Sequence, residues 1–350
     1  MADVTIQHVA KAAGVSPSTV SNLLNGRAHL MLPETRQRVE QAIEELGYQP
    51  NRSARNLRTG RTRTIGLVVP SVGNPFWGTF ARYVESAALA EGYNVLLCNS
   101  ERDPNREQRY IEELWSDGIR GLVLCSSLPS LDHVSALMKR GLQMVAFDRT
   151  AQIGDPDTLV SISIDNTVGS ELATTHLTGL GHQRLAFVSG ALGSVNRKDR
   201  FRGFAAALER AGLPSEGTLW PGAAEQRFGD VESAELGRQA ARELLSADEP
   251  PTGIVAINDM CALGVCRGVR DAGLEVAKDV SVVGFDDIVL ADLYDPPLTT
   301  VRQPMQDMAA MAISELKARV EDSGTSHGRS LLLRPELIVR ESTAPPRADR

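Results

Sequence analysis

The sequence contains no stretch approaching 18 consecutive apolar residues, so none of its helices is expected to cross a membrane. Its N-terminus, MADVTIQHVAKAAG, lacks a basic segment followed by an apolar one, and no secretory signal is expected. Cysteine is scarce. Cys98, Cys125, Cys261 and Cys266 show no CxxC spacing and lie in apolar strand-like or helix-like runs, which reads as reduced buried thiols rather than a metal or redox pair. The catalytic and nucleotide motifs GxGxxG, the P-loop, GxSxG and HExxH are absent, and the six histidines are scattered. No nucleophile is offered together with a base, so neither an enzyme nor a cofactor or metal is expected. The tail TAPPRADR carries no leucine heptads, which argues against a tetramer built by a C-terminal coiled coil.

What is present is ordinary in bulk and uneven in distribution. The 350 residues exceed one compact domain, and 42% hydrophobic with 23% charged content suits a soluble globular chain. The net charge is −7, but residues 1–63 hold nine Lys/Arg against five Asp/Glu (+4), and residues 64–350 hold 28 against 39 (−11). A basic head on an acidic body points to a polyanion as the head's partner.

Within the head, Thr5 is a plausible N-cap for IQHVAKAA, in which Ile6, Val9, Ala10 and Ala13 share a helical face. Gly14 breaks that pattern, and Ser16-Pro17 opens a second helix with Val20, Leu23 and Leu24 on one face. Asn25-Gly26 ends it. A third helix begins at Pro33-Glu34 and carries Val39, Ile43 and Leu46 inward up to Gly47. Two short helices joined at a tight glycine turn and braced by a third form helix-turn-helix geometry. The second helix would lie in the DNA major groove, with Pro17, Ser18 and Asn22 towards base edges. Next comes NRSARNLRTGRTR (residues 51–63), with five arginines and no acid. It reads either as a short helix capped by Asn51 and ended by Gly60, too short to be stable alone, or as a basic flexible linker.

From residue 64 onward strands and helices alternate. TIGLVV, NVLLC, RGLVLCS and QMVAF are strands of one series; a second series starts at VSISI and continues through RLAFVSG, GIVAI and VSVVGF. Alternation implies parallel sheets in α/β layers, and two series imply two doubly wound lobes. LTTVRQP and the helix over residues 305–320 would return to the first lobe, and LRPELIVR would join the second. The expected N-lobe is thus about 64–163 and 296–321, and the C-lobe about 164–295 and 322–343. Ligands of such sheets sit at strand carboxyl ends. That rule selects Asn74 and Phe76, Asp148 and Arg149, Asn258 and Asp259, and Asp286, with Arg200 early in the helix RKDRFRGFAAAL. The competing readings are helix caps for Asn258 and Asp259, a turn for Asp286, and a mutual ion pair for Asp148 and Arg149.

VTIQHVAKAAGVSPSTVSNLLNG, followed by ETRQRVEQAIEELGYQPNRSARNLRTGRT, closely resembles the headpiece of the lactose/purine repressor (LacI/GalR-type) family of bacterial transcription regulators. VVPSVGNPFW, VAFDR, DRFRGFAAAL, AINDMCALG, VSVVGFDD and DPPLTTVRQP resemble family landmarks in family order, over about residues 3–343. The resemblance implies an all-α helix-turn-helix headpiece (1–49), a hinge helix and linker (50–63) and a two-lobed periplasmic-binding-protein-like core (64–350). It implies a cytoplasmic, homodimeric repressor on a near-palindromic DNA operator, controlled by a small-molecule effector, a sugar or other small polar metabolite, in the inter-lobe cleft. The DNA-contacting positions it implies are Thr5, Ser16, Pro17, Ser18, Thr19, Ser21, Asn22 and Asn25, then Asn51, Arg52, Ala54, Arg55 and Leu57, the last a wedge between base pairs in the minor groove. The positions matching Arg200, Asn258 and Asp286 hydrogen-bond the effector in relatives.

Three departures stand out. Asn22 replaces a frequent Arg or His, which favours adenine over guanine at that base. Leu32 occupies a normally polar N-cap. Glu232 stands where relatives often place a ring-stacking aromatic, while Trp220 and Phe228 are out of register, which predicts a more polar or cationic effector. A solute-binding protein without a DNA role remains the alternative, sharing the lobes but not the headpiece.

Overall fold

The computed structural model describes residues 4–24, 26–48, 62–126, 128–222, 230–321 and 327–347. It separates into two compact units, Met1–Thr62 and Arg63–Arg350. Asn25, Asn51, Arg52, Ala54, Arg55 and Leu57 lie outside the described residues.

In the first unit α1 spans Ile6–Ala13, α2 Pro17–Leu24 and α3 Pro33–Glu45. Thr5 is extended and its backbone N–H donates to His8 Nδ1 at 3.1 Å, so a histidine does the work usually given to a glutamate in a capping box. Gly14, at φ +64°, turns the chain in the left-handed region that a side chain resists. Ser16 Oγ accepts from Thr19 N at 3.2 Å and Pro17 opens α2. Val9, Ala10, Ala13, Val20, Val39 and Ala42 form the buried core. Leu32 is 72% exposed and caps nothing with its side chain, as its apolar character requires. Leu46, expected inward, is 36% exposed instead: α3 stops at Glu45, and Tyr48 packs on the core in its place.

The second unit holds two sheets. The first, in spatial order β11-β5-β4-β3-β1-β2, comprises β1 (Thr64–Val69), β2 (Asn94–Asn99), β3 (Gly121–Cys125), β4 (Gln143–Phe147), β5 (Val160–Ile164) and β11 (Arg329–Leu333). The second, in order β12-β10-β9-β8-β6-β7, comprises β6 (Leu185–Val188), β7 (Leu219–Trp220), β8 (Gly253–Ala256), β9 (Ser281–Asp286), β10 (Thr299–Arg302) and β12 (Glu336–Ile338). All pairs are parallel except β10 with β12. Helices cover the sheets, as parallel strands buried on both faces demand. Helices Asp230–Leu245 and Asp259–Asp271 pack so closely that a Cβ on Gly237 would collide with the carbonyl of Cys261. Among the described residues no helix is long and apolar enough to cross a membrane, and all four cysteines are free thiols.

The lobe boundaries differ from expectation. VSISI forms β5 and closes the first sheet, pairing with β4, rather than opening the second. TTVR forms β10 and stays in the second sheet beside β9, so the chain returns to the first lobe only at the helix Met305–Glu321. The run SLLLRPELIVR splits at Pro335: β11 pairs with β5 in the first sheet and β12 with β10 in the second. Proline has no N–H to donate, so a strand ladder cannot run through it unbroken. The chain therefore crosses between lobes three times, near Asp165, Gln303 and Arg334.

Candidate functional site

On the first unit, Thr5, Ser16, Pro17 and Ser18 are exposed, and Thr19 and Asn22 are half-buried. Ser16 Oγ lies 2.6 Å from Ser18 Oγ and 2.9 Å from Thr19 Oγ1, so the three hydroxyls at the start of α2 are held in one arrangement. Ser21, next along α2, is buried.

In the second unit, strand carboxyl ends from both sheets meet across a cleft. Asn74 caps the helix Pro75–Ala90, its side chain accepting from Phe76 N at 3.0 Å. Phe76 and Trp77 meet edge to face at 4.8 Å, and Phe80 stacks on Phe147 at 3.6 Å, giving this wall a rigid aromatic base. Asp148 follows β4 at φ +55°, a conformation uncommon for a non-glycine residue. From the second lobe, the helix Val195–Arg210 carries Asn196, Arg197 and Arg200. Asn196 Nδ2 donates to the Asp148 carbonyl at 2.7 Å, a direct bond between the lobes. Arg200 donates to Asn166 Oδ1 (2.7 Å) and to the Ile257 carbonyl (2.5 Å), lies 3.8 Å from Asp286 Oδ1, and rests 3.6 Å over the Phe285 ring. Asn258 does what its competing reading required and caps its helix, accepting from Cys261 N at 2.9 Å, while still lining the cleft.

These residues enclose a cavity of about 50 Å³. It adjoins a pocket of about 210 Å³ that shares Pro70, Arg102, Cys125, Ser126, Ser194 and Arg197 with it. Ligand sites for small metabolites usually run to several hundred Å³, so the central cavity alone is small for one and the adjoining pocket adds to it. Burial pushes the Asp148 carboxyl from 3.8 up to about 6, against the opposing pull of Arg200 and Arg102. Burial also lowers the Arg200 guanidinium, with Asp286 and Asp148 partly restoring it. Asp259 is pushed well up by burial and by the neighbouring Asp286. It accepts from Thr300 Oγ1 (2.5 Å) and Ile288 N (2.8 Å), and so braces the loop behind the cleft without lining it. Asp148 Oδ1 and Asn196 Oδ1 are buried acceptors with no partner. Such groups are costly unless something donates to them.

Six of the residues selected from the sequence come together at the central cavity: Asn74, Phe76, Asp148, Arg200, Asn258 and Asp286. Arg149 does not. It is wholly buried, pairs with both oxygens of Asp155 (2.6 and 2.8 Å), and donates to the carbonyls of Leu128 and Pro129, so it ties loops together and pairs with an aspartate other than its neighbour. Trp220 is elsewhere, bonded to Glu243. Glu232 falls in the first turn of the helix Asp230–Leu245, and Phe228 lies outside the described residues. Sequence reasoning missed Trp77, Arg102, Ser126, Asn196 and Arg197. Two signals were available: Arg102 follows the end of β2, and Asn196 and Arg197 precede Arg200 by one helical turn. The charged side chains lining the cavity are Arg102, Arg197 and Arg200 with Asp148 and Asp286. Among the described residues, no group of three or more His, Cys, Asp or Glu is arranged to hold a metal.

A helical headpiece with an exposed polar face on its second helix, in one chain with a two-lobed α/β core whose cleft is lined by polar groups, defines a ligand-responsive DNA-binding regulator. The model of the bacterial regulatory proteins of the lacI family matches residues 5–51, and that of a periplasmic binding protein-like domain matches residues 174–343. The chain is 35% identical over 341 residues to the HTH-type transcriptional regulator DegA of Bacillus subtilis, covering 97% of this chain and 98% of DegA. It is 36% identical over 339 residues to the ribose operon repressor of Escherichia coli, covering 97% and 99%. A structure of the lac repressor dimer bound to operator and the anti-inducer ONPF superposes with a TM-score of 0.85 at 28% identity, over 98% of this chain and 99% of that one. The chain belongs to the lacI family of bacterial regulatory proteins and is a transcription regulator with DNA-binding and effector-binding domains. The match at residues 5–51 removes the alternative of a solute-binding protein without a DNA role.

Proposed function

We propose that the chain is a cytoplasmic repressor that binds a near-palindromic operator as a homodimer and responds to a small polar metabolite held between its lobes. Each α2 reads one half-site through Pro17, Ser18 and Asn22, with Thr5, Ser16, Thr19 and Asn25 towards the backbone. Asn51, Arg52, Ala54 and Arg55 contact the minor groove and its phosphates, and Leu57 wedges between base pairs at the operator centre. Asn74, Phe76, Asp148, Arg200, Asn258 and Asp286 bind the effector. The ligand's different affinity for open and closed lobes is what changes DNA affinity.

One observation supports this reading above the others: two buried acceptors without donors, Asp148 Oδ1 and Asn196 Oδ1, stand in the inter-lobe cleft of a chain that also carries a polar helix face with its hydroxyls held together. The homodimer is supported by exposed apolar side chains on the edge strand β2, Leu96 and Leu97, and by Leu293 on the short helix Val289–Leu293. An uncovered edge of this kind invites pairing. The test is to select operators from random DNA with the full chain and then repeat binding across a metabolite panel. A recovered site with dyad symmetry, and an affinity that shifts with one class of metabolite, is expected. A recovered site without dyad symmetry would sink the dimer.

A further inference from the structure

Building on that cleft as the effector site, we infer that Arg302 and Arg340 are positioning residues for effector binding: through Asp287, which stands outside the cavity, they hold the left-handed backbone that keeps the Asp286 carboxylate inside it. Asp286 ends β9 and lines the central cavity, while Asp287 does not. The two residues take φ of +116° and +52° in succession. Side-chain-bearing residues adopt that region at a cost, and two in a row persist only where the surroundings fix them. Here two arginines do so. Arg302 Nε donates to Asp287 Oδ2 at 2.6 Å, and Arg340 Nη2 donates to Asp287 Oδ1 at 2.7 Å. Both oxygens of one carboxylate are thus taken by guanidinium groups, which are strong donors of fixed direction. Arg302 comes from β10, in register with Asp286 on the neighbouring strand. Arg340 follows β12 and is itself anchored: its Nη1 donates to the Leu298 carbonyl at 2.8 Å, its backbone N–H donates to Thr299 Oγ1 at 2.9 Å, and its Nε lies 3.2 Å from Asp292 Oδ1.

On the far side of the turn, Ile288 N donates to the buried Asp259 at 2.8 Å, so the backbone after Asp287 is held too. Asp287 is the point at which the clamp acts. Released there, the chain relaxes towards an ordinary φ, and the Asp286 carboxylate turns away from Arg200, 3.8 Å off, and from the Gln303 amide, 2.9 Å off. The competing account is a surface ion pair with no bearing on the cleft, and pairs between exposed charges contribute little to stability. Arg302 is half-exposed, which suits that account, but Asp287 is 8% exposed in its side chain and sits on strained backbone directly after a cavity residue. Neither arginine lines the central cavity or the adjoining pocket. Any loss of effector affinity on substituting one is therefore indirect, and the route on offer is the backbone of Asp286 and Asp287.

The test uses the full chain with Arg302→Ala, Arg302→Lys, Asp287→Gly and the double variant Arg302→Ala with Asp287→Gly. Thermal shift and calorimetry with D-ribose, D-glucose, cellobiose, D-glucose 6-phosphate, hypoxanthine and L-glutamine find the probe that the parent binds. Arg302→Ala should fold, bind operator DNA without ligand as the parent does, and bind that probe about ten- to a hundred-fold more weakly. Arg302→Lys should recover part of the loss. Glycine takes positive φ freely, so Asp287→Gly should bind the probe more tightly than Arg302→Ala does, and adding Arg302→Ala to it should cost less than about twofold. Unchanged affinity in Arg302→Ala leaves a surface ion pair and overturns the inference. So does a loss from Arg302→Ala that is as large in the Asp287→Gly background as in the parent. Hydrogen exchange without ligand is measured in parallel. The Asp287 and Ile288 amides should exchange faster in Arg302→Ala while β8 stays protected, and unchanged exchange overturns the clamp whether or not a probe binds. A parent that binds operator but no probe brings down the effector reading and the positioning role with it.

Discussion

Gln303 Nε2 donates to Asp286 Oδ1 over 2.9 Å, joining a carboxylate of the effector cleft to the segment where the chain leaves the second sheet for the first lobe. Gln303 is buried and its Oε1 has no partner, so the side chain answers to Asp286 alone through its amide nitrogen. A ligand that draws Asp286 towards itself, or releases it from Arg200 3.8 Å away, alters the hold on one of the three crossings. Gln303→Ala is expected to lower stability by about 1 kcal/mol, the net worth of a buried hydrogen bond, and to shrink the ratio of operator affinities with and without ligand. Binding titrations on selected operator DNA measure that ratio. An unchanged ratio beside the lost stability would reduce Gln303 to a structural role.

Asp148 sets a pH dependence whose sign follows from its burial. Its carboxyl rises from 3.8 to about 6 in the fold, so the folded chain holds that proton more tightly than the unfolded one. The resulting stability is fully present below about pH 3.8 and is lost as pH rises through about 6. Two pH units correspond to about 3 kcal/mol as an order of magnitude. Asn is nearly isosteric, is neutral at every pH, and tolerates the +55° backbone. Asp148→Asn should therefore raise the chemical-denaturation midpoint at pH 7, flatten its change between pH 5 and 7, and weaken effector binding. A variant no more stable than the parent at pH 7 would show that the carboxylate is already compensated in the fold.

Much of this architecture was legible from periodicity, because strand ends follow from where apolar runs stop, and ligand positions follow from strand ends. Asn74, Asp148, Asn258 and Asp286 were found that way and line the cavity together. Arg149 was not separable from Asp148, because its partner Asp155 and the carbonyls of Leu128 and Pro129 lie in loops with no repeating pattern. Sheet membership was the least legible feature. β5 (VSISI), β10 (TTVR) and β11 (RSLLL) are short runs whose composition suits either lobe, and only non-local pairing assigns them. Leu46 leaves the expected inward face because α3 stops at Glu45, a helix end that a face pattern does not resolve.

Trp77 lines the central cavity, while Trp220 is bonded to Glu243 and Trp115 lies 3.9 Å beneath the Arg120 guanidinium. Of the three tryptophans, one therefore reports on the cleft. Effector binding should change intrinsic fluorescence, and Trp77→Phe should remove the change while leaving ligand-dependent thermal stabilisation. A fluorescence response that survives in Trp77→Phe would place the optical change away from the cleft.

Gly237 is expected to tolerate no side chain. A Cβ there would meet the Cys261 carbonyl, backbone that cannot step aside without moving the helix that Asn258 caps. Gly237→Ala should cost about 1–3 kcal/mol or more, as overpacking does, despite the better helix propensity of alanine. Urea denaturation measures it, and a neutral or stabilising result would mean that the two helices separate at little cost.

The headpiece divides its DNA predictions between base and backbone. Asn22, half-buried on α2, has an amide suited to the paired acceptor and donor of adenine, so Asn22→Ala should cost about 1–3 kcal/mol on a selected operator and relax preference at one base pair per half-site. Its salt slope should not change, since no phosphate charge is lost. Arg52→Ala or Arg55→Ala should weaken specific and non-specific binding together and flatten the slope by up to about one unit per lost phosphate contact. Leu57→Ala should behave in a third way, cutting operator affinity while sparing much of the non-specific binding, because a wedge acts only where the duplex kinks. Salt titrations of all four variants on operator and on scrambled DNA separate these patterns. If Leu57→Ala leaves operator affinity intact, residues 51–63 act only as a basic tether, and reading the operator falls to α2 alone.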